Sequence, residues 1–371
     1  MDEPYITRLT RFRKLMAEAE LDAFLVSVPE NRYYLSGYGA DDMNLTESSG
    51  HLLITGAEQF ILTDFRYQEE AAQESPEFKL VVYKEGLAGA LPDLFAGLTV
   101  QKLGVEGHHL THESYLQIEK ALADACPKAG IQSVKDLIER LRRVKEADEI
   151  DAIRASLALT EKALSSIWAV LRPGLTEREL AWKIEVLIRE GGGEAVSFPP
   201  IVAAGPNAAL PHAVPTGRKI SPGDCLILDL GSKLNHYCSD MTRTWTAGVP
   251  QARIQEIYRI VREAQLAAQD CIKAGVEAAE VDKAARELIS GAGYGDYFGH
   301  GLGHGVGLAV HEEPRLRKKS ETLLEENMVV TVEPGIYLPG TGGVRLENMV
   351  RVTQTGCEIL NQEDLFYPCQ L

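Results

Sequence analysis

Cys225-Leu226-Ile227-Leu228-Asp229-Leu230 reads as a strand buried on both faces, and it carries a carboxylate inside the apolar run. Ser239-Asp240-Met241-Thr242-Arg243-Thr244-Trp245 follows shortly after it. If the chain folds back about Leu234-Asn235, Asp229 and Asp240 face each other on one side of a hairpin. Two carboxylates so placed repel, and an uncompensated buried charge is costly, so the pair needs a cation or a shared proton between them. A pair of exposed turn aspartates is the plainer alternative. The apolar setting of Asp229 argues against it.

The same pattern recurs at Met328-Val329-Val330-Thr331-Val332-Glu333-Pro334-Gly335, where an acid ends an apolar strand, and again at Val344-Arg345-Leu346-Glu347. Arg345 and Glu347 share a face by the period of two, which taken alone describes an edge salt bridge. Together the four carboxylates make an oxygen-rich site suited to Mn²⁺, Mg²⁺, Fe²⁺ or Co²⁺. Histidines join them. Gly299-His300-Gly301-Leu302-Gly303-His304-Gly305-Val306-Gly307 packs two among five glycines, His311-Glu312 follows, and His212 precedes the Asp229 strand. Such glycine density lets backbone and imidazoles approach a common centre.

Outward from this centre, residues from 196 onward read as strands and glycines, with one helical region at 251–292. Before them, Thr176-Glu177-Arg178-Glu179 opens a helix as a capping box, and Ser133 to Leu171 predicts a long charged helix stopping at Arg172-Pro173-Gly174. Residues 7–20 predict an amphipathic helix. Short apolar runs at Ala23–Val26, Leu52–Ile54, Phe60–Leu62 and Leu80–Val82, with helical stretches such as 65–74 between them, predict an α/β domain. Pro127 and Gly130 mark 121–132 as the linker, giving domains of 1–131 and 132–371, the second α+β.

The 371 residues, 45% hydrophobic and 25% charged, suit a two-domain globular chain rather than a disordered one. A formal net charge of −16 argues against a nucleic-acid partner, whose phosphates call for cations. No run of 18 or more apolar residues predicts a membrane span. Six scattered cysteines without a CxxC pair, behind an N-terminus lacking the signal-peptide pattern, predict a cytoplasmic protein with reduced thiols.

Taken together, Pro211-His212, Asp229-Leu230-Gly231, Ser239-Asp240-Met241-Thr242-Arg243-Thr244, the His300 to Gly307 run, His311-Glu312, Thr331-Val332-Glu333-Pro334-Gly335-Ile336-Tyr337 and Gly343-Val344-Arg345-Leu346-Glu347-Asn348 carry a resemblance. The chain resembles the dinuclear metallopeptidases of the creatinase, prolidase and aminopeptidase P superfamily over its whole length. The resemblance implies a pita-bread catalytic domain behind a creatinase-type α/β N-terminal domain. It implies two divalent ions, Mn²⁺ first with Co²⁺, Zn²⁺ or Fe²⁺ as alternatives, held by Asp229, Asp240, His304, Glu333 and Glu347. A hydroxide between the ions would be the nucleophile. Glu333 would also take its proton, with His212 and His311 completing the catalytic set. His300, Arg315, Arg345 and Tyr337 would lie on the substrate side, the last two also as candidates for orienting ligands.

The implied substrates are peptides with proline in second position, and the expected assembly is a homodimer. The reading prefers an Xaa-Pro aminopeptidase, with an Xaa-Pro dipeptidase as alternative if Arg315 captures a dipeptide's carboxylate. Methionine aminopeptidases share the ligands but usually lack such a first domain. The five intact ligands argue against a metal-free creatinase-like enzyme and against a non-catalytic protein-binding relative.

Overall fold

A computed structural model describes residues 3–42, 44–363 and 366. The chain divides into two compact units, 1–142 and 143–371.

In the first unit the elements run α1 (Glu3–Glu18), β1 (Ala23–Val26), α2 (Pro29–Ser36), β2 (His51–Thr55), β3 (Gln59–Asp64), α3 (Gln68–Glu74), β4 (Lys79–Tyr83), α4 (Leu87–Ala96), β5 (Lys102–Val105), α5 (His112–Ala125), β6 (Gly130–Ser133) and α6 (Glu139–Arg143). They form one sheet in the order β4-β3-β2-β1-β5-β6. Only β2 runs against the rest, because β1–β2 and β2–β3 are antiparallel while β3–β4, β1–β5 and β5–β6 are parallel. Leu25, Leu53, Leu62 and Leu103 on the sheet pack with Leu91 and Phe95 of α4 and Ile118 and Leu122 of α5. The predicted linker at 121–132 is therefore ordered structure, the end of α5 and the edge strand β6. The small, polar residues that suggested a linker form the tight turn between them.

The second unit contains α7 (Ala147–Val170), α8 (Glu177–Glu190), β7 (Ala195–Val196), β8 (Ile201–Ala204), β9 (Cys225–Leu230), β10 (Ser232–Leu234), β11 (Tyr237–Cys238), β12 (Met241–Thr246), α9 (Ala252–Cys271), α10 (Ala278–Gly291), β13 (Gly303–Gly305), β14 (Glu312–Leu316), β15 (Val329–Val332), β16 (Gly335–Leu338), β17 (Gly342–Arg345), β18 (Asn348–Val352) and β19 (Cys357–Ile359). A helix pair followed by antiparallel strands thus occurs twice. The sheets are ordered β12-β9-β8, β11-β10-β7, β14-β13-β15-β18-β19 and β16-β17. Ile227, Val330, Ile336 and Val344 from the strands share a core with Ile257, Val261, Ala264, Val281 and Ile289 from α9 and α10.

Two local expectations change. The long helix expected over 133–171 is broken into α6 and α7, because Glu146 starts a new helix with a capping box to Glu149. The hairpin turn sits at Asn235-His236, both at left-handed φ (50° and 66°), flanked by the Leu234–Tyr237 pair. That is later than Leu234-Asn235, so Thr242 rather than Asp240 lies opposite Asp229. Asp240 becomes its diagonal neighbour, still on the same face. The five described cysteines form no disulfide with one another, and Cys369 lies outside the described residues. Among the described residues no helix is long and apolar enough to cross a membrane.

Candidate metal centre

Five ionisable residues converge from five places in the second unit. Asp229 is in β9, Asp240 immediately precedes β12, His304 is the middle residue of β13, Glu333 follows β15, and Glu347 lies between β17 and β18. Ligand atoms of Asp229, Asp240 and Glu347 lie within 4.8 Å of one another, as do those of His304, Glu333 and Glu347. Another such triple joins Asp240 and His304 to His311. His304 sits where β13 is squeezed between β14 and β15. A side chain at Gly303 or Gly305 would run into the Thr331 or Glu313 carbonyl, so the glycines permit this close approach. His304 Nδ1 donates to the Gly305 carbonyl at 3.1 Å, which fixes the ring with Nε2 pointing at Glu333 (3.3 Å) and Asp240 (3.6 Å).

The cluster is almost dry, with Asp229 8%, Asp240 5%, His304 6% and Glu347 1% exposed. Burial, then the neighbouring carboxylates, pushes Asp240 and Glu347 well above the usual carboxylate range, and burial raises Asp229 despite Arg345. Glu333 goes the other way. Burial opposes its ionisation, but the hydrogen bond and charge of His304 outweigh burial and hold it at about 2. Asp229 Oδ1 and Glu347 Oε1 are buried with no hydrogen-bond partner. An orphaned, buried carboxylate oxygen is unfavourable unless a cation meets it. Four carboxylates and one imidazole with two such oxygens fit a pair of divalent ions.

Three of the four carboxylates have an oxygen held by a neighbouring side chain. Arg345 Nη2 donates to Asp229 Oδ2 at 2.5 Å, Thr242 Oγ1 donates to Glu347 Oε2 at 2.8 Å, and Arg345 Nε donates to that same Thr242 hydroxyl at 3.1 Å. Thr331 Oγ1 donates to Glu333 Oε1 at 3.1 Å.

Matches to known families agree with this geometry. Residues 8–144 match the creatinase/prolidase N-terminal domain, and residues 151–354 match metallopeptidase family M24. The chain belongs to metallopeptidase family M24. Its relatives include an Xaa-Pro dipeptidase of Pyrococcus furiosus, 37% identical over 96% of this chain and 98% of that protein. The solved Xaa-Pro dipeptidase from Bacillus anthracis superposes with a TM-score of 0.90 at 37% identity, covering 97% of this chain and 98% of that one. The X-Pro aminopeptidase from Thermotoga maritima gives 0.87 at 34% identity, covering 96% and 97%. This M24 protein is therefore a metal-dependent exopeptidase with the pita-bread catalytic domain behind a creatinase-type first domain.

A cleft of ≈ 660 Å³ opens over the M24 ligand cluster, lined by His212, His300, His311, Arg315, Arg345 and the Phe198-Pro199-Pro200 wall, among others. The His311 ring meets His304 edge-on with centroids 4.3 Å apart. Burial, followed by the charges of His304 and Arg315, lowers His311 to about 4, so its imidazole is neutral near pH 7. Arg315 lies on β14 directly opposite His304. Neither Arg315 nor Arg317, the next residue on that side of the strand, has a carboxylate within ion-pairing distance among the described residues, and both line the cleft.

Tyr337 departs from its expected substrate contact. It is buried behind the cleft, where Arg345 Nη1 donates to its hydroxyl at 2.9 Å and the hydroxyl donates to His300 Nε2 at 2.9 Å. Arg345 reaches the cleft wall but is spoken for by Asp229, Thr242, Tyr337 and the Pro211 carbonyl. Nor does Arg345 pair with Glu347 along a shared strand, because β17 ends at Arg345 and the chain turns before Glu347. Both residues support the ligands and the His212 loop. Sequence reasoning passed over Thr242, although its alternation with Asp240 along β12 signals a shared face. It also missed Lys145, whose buried Nζ lies 3.3 Å from Glu312 Oε2, beside His311. Nothing in the local sequence links residues so far apart.

Proposed function

We propose that this M24 enzyme is an Xaa-Pro dipeptidase that releases proline from a dipeptide. The observation that carries the reading is Arg315, a guanidinium without an acidic partner, placed across the strand pair from His304 and facing the cleft. A dipeptide presents its carboxylate one residue beyond the scissile bond, and a free guanidinium is suited to take it bidentately. Relatives with dipeptidase names in the 36–37% identity range add support. Together they favour the dipeptidase over the aminopeptidase preferred from sequence. The Thermotoga X-Pro aminopeptidase keeps that second reading in play as an outcome of the test.

In this account Asp229, Asp240, His304, Glu333 and Glu347 hold two divalent ions, Mn²⁺ being the proposed species. When bound, the ions supply Lewis-acid polarisation and make water acidic enough to ionise near neutral pH. Glu333, kept ionised, accepts the proton from the attacking water and passes it towards the leaving proline nitrogen. His311 is neutral and donates one hydrogen bond to the oxygen on which negative charge develops. His212 lines the same cleft, its loop anchored by the Arg345 bond to Pro211. Arg315 fixes the carboxylate, and His300, locked by Tyr337, shapes the proline side.

Comparing Ala-Pro with Ala-Pro-Ala on Mn²⁺-loaded enzyme tests the substrate class. The dipeptide is cleaved in preference, and Arg315→Ala raises its KM by about 10- to 150-fold, equivalent to about 1.5–3 kcal/mol for a hydrogen bond to a charged group. Equal cleavage of both peptides, unchanged in Arg315→Ala, establishes the aminopeptidase instead.

A further inference from the structure

The first unit contains a second cavity, of ≈ 320 Å³, formed entirely by its own residues. Its lining includes Ser27 directly after β1, Asp64 at the end of β3, Tyr83 at the end of β4, and His109 just beyond β5. His51, the first residue of the antiparallel β2, joins them at the same edge. This is the carboxyl edge of the parallel strands. From β1 the chain proceeds to β2, β3 and β4 on one side and afterwards to β5 and β6 on the other, so β1 and β5 flank the point where strand order reverses. Crevices at that point are the usual ligand sites of open α/β sheets.

We propose that this cavity binds a small oxyanion, the phosphate or carboxylate group of a metabolite. Three independent features support it. Ser27 is 3% exposed, lines the cavity, and its hydroxyl has no hydrogen-bond partner. His51 Nδ1 is likewise buried and unpartnered. A buried polar atom left unpaired is rare enough to call for a missing partner, and both atoms can donate. The third feature is α4. Its N-cap is Gly86 at φ +80°, which provides no side chain to cap the first turn, and Gly86, Leu87 and Ala88 all face the cavity. The free N–H groups and the dipole of that end favour an anion.

The acids around the cavity do not contradict this. Asp42 is paired with Arg32 and accepts from Ser49, and Asp64 is paired with Arg66. Glu47 and Glu85 stand exposed at the mouth. Burial, with the charge of the buried Arg32 second, lowers His51 to about 4, so the cavity lining presents a neutral imidazole there rather than a full charge.

The test uses the full-length protein, with Tm recorded against inorganic phosphate or acetate and sodium chloride matching ionic strength. Tm rises with the oxyanion concentration, as for any ligand that binds only the folded state. Ala88→Asp places a tethered carboxylate in the first turn of α4; it raises Tm without added anion and removes the further increment, leaving dipeptide cleavage unchanged. Ser27→Ala weakens the oxyanion by about tenfold, the loss of one hydrogen bond to a charged group. A response to phosphate alone or to acetate alone identifies which oxyanion the site takes. No increment in the wild type overturns the proposal. So does an increment that survives in both variants, because the anion then sits elsewhere, at the metal centre for instance.

Discussion

Glu106 in the first unit and Glu347 in the second are both buried carboxylates, 2% and 1% exposed, yet their surroundings differ in one decisive way. Every oxygen of Glu106 is met by the protein. Oε2 accepts from the Ser27 and Val28 backbone N–H groups at 2.5 and 2.7 Å, and Oε1 accepts from Asn31 Nδ2 at 2.5 Å. It holds the backbone leading into α2. Glu347 receives one hydroxyl, from Thr242, and its other oxygen faces Asp240 and Asp229 without a donor. Burial lifts both groups, Glu106 to about 7 and Glu347 well beyond its usual range, and only Glu106 has enough donors to limit the rise. Burial alone therefore does not mark a functional carboxylate. An oxygen without a protein donor, facing other carboxylates, does.

The contrast breaks if removing either carboxylate does the same thing. Glu347→Ala or Asp240→Ala takes away ligands that share their surroundings with the whole cluster, and activity falls to background together with bound metal, measured by elemental analysis beside the assay. Retained activity would place the metal elsewhere. His311→Ala comes next: kcat for the dipeptide drops by roughly 10²-fold or more while metal content stays, because His311 touches the cluster through its ring edge and serves the substrate oxygen. Loss of metal in this variant would make His311 a ligand.

Glu106→Gln gives a smaller effect of a different kind. It leaves metal and kcat intact and destabilises the first unit by about 1–3 kcal/mol, since an amide cannot accept from all three donors. The pH dependence has a definite sign. The folded pKa of about 7 lies above the ordinary 4.5, so the folded state holds this proton more tightly. The stabilisation is full below about pH 4.5 and is lost as pH rises through 7. Urea titrations across that window should show wild type losing ground to Glu106→Gln, by about 3 kcal/mol at most. A flat difference would mean that the three donors already cancel the burial.

Much of this was legible in the chain because carboxylates interrupt apolar strands at Asp229 and Glu333, and nothing in packing explains them there. The capping box Thr176–Glu179 was equally plain, and α8 starts at Glu177. Register was harder. Moving the turn onto Asn235-His236 shifts the pairing while leaving the same residues on the same face, so the pattern of alternation could not distinguish the two. The break between α6 and α7 was hidden because apolar residues continue through Val144 at helical spacing. What stops the helix is the cap at Glu146, next to a lysine engaged with the far segment at Glu312. β5 and β6 escaped notice for want of apolar length, and with them went the Ser27 cavity, which exists only once β1 and β5 are side by side.

The claim that the orphaned oxygens await cations is tested most directly by titrating Mn²⁺ into metal-free protein in a calorimeter, using buffers of different ionisation enthalpy. The account predicts two ions per chain and a release of protons near neutral pH, because Asp240 and Glu347 must ionise to bind them. Glu347→Gln should lose that stoichiometry, whereas Glu106→Gln should keep it. Wild-type protein that binds no Mn²⁺, or a Glu347→Gln variant that binds two ions as the wild type does, would contradict it.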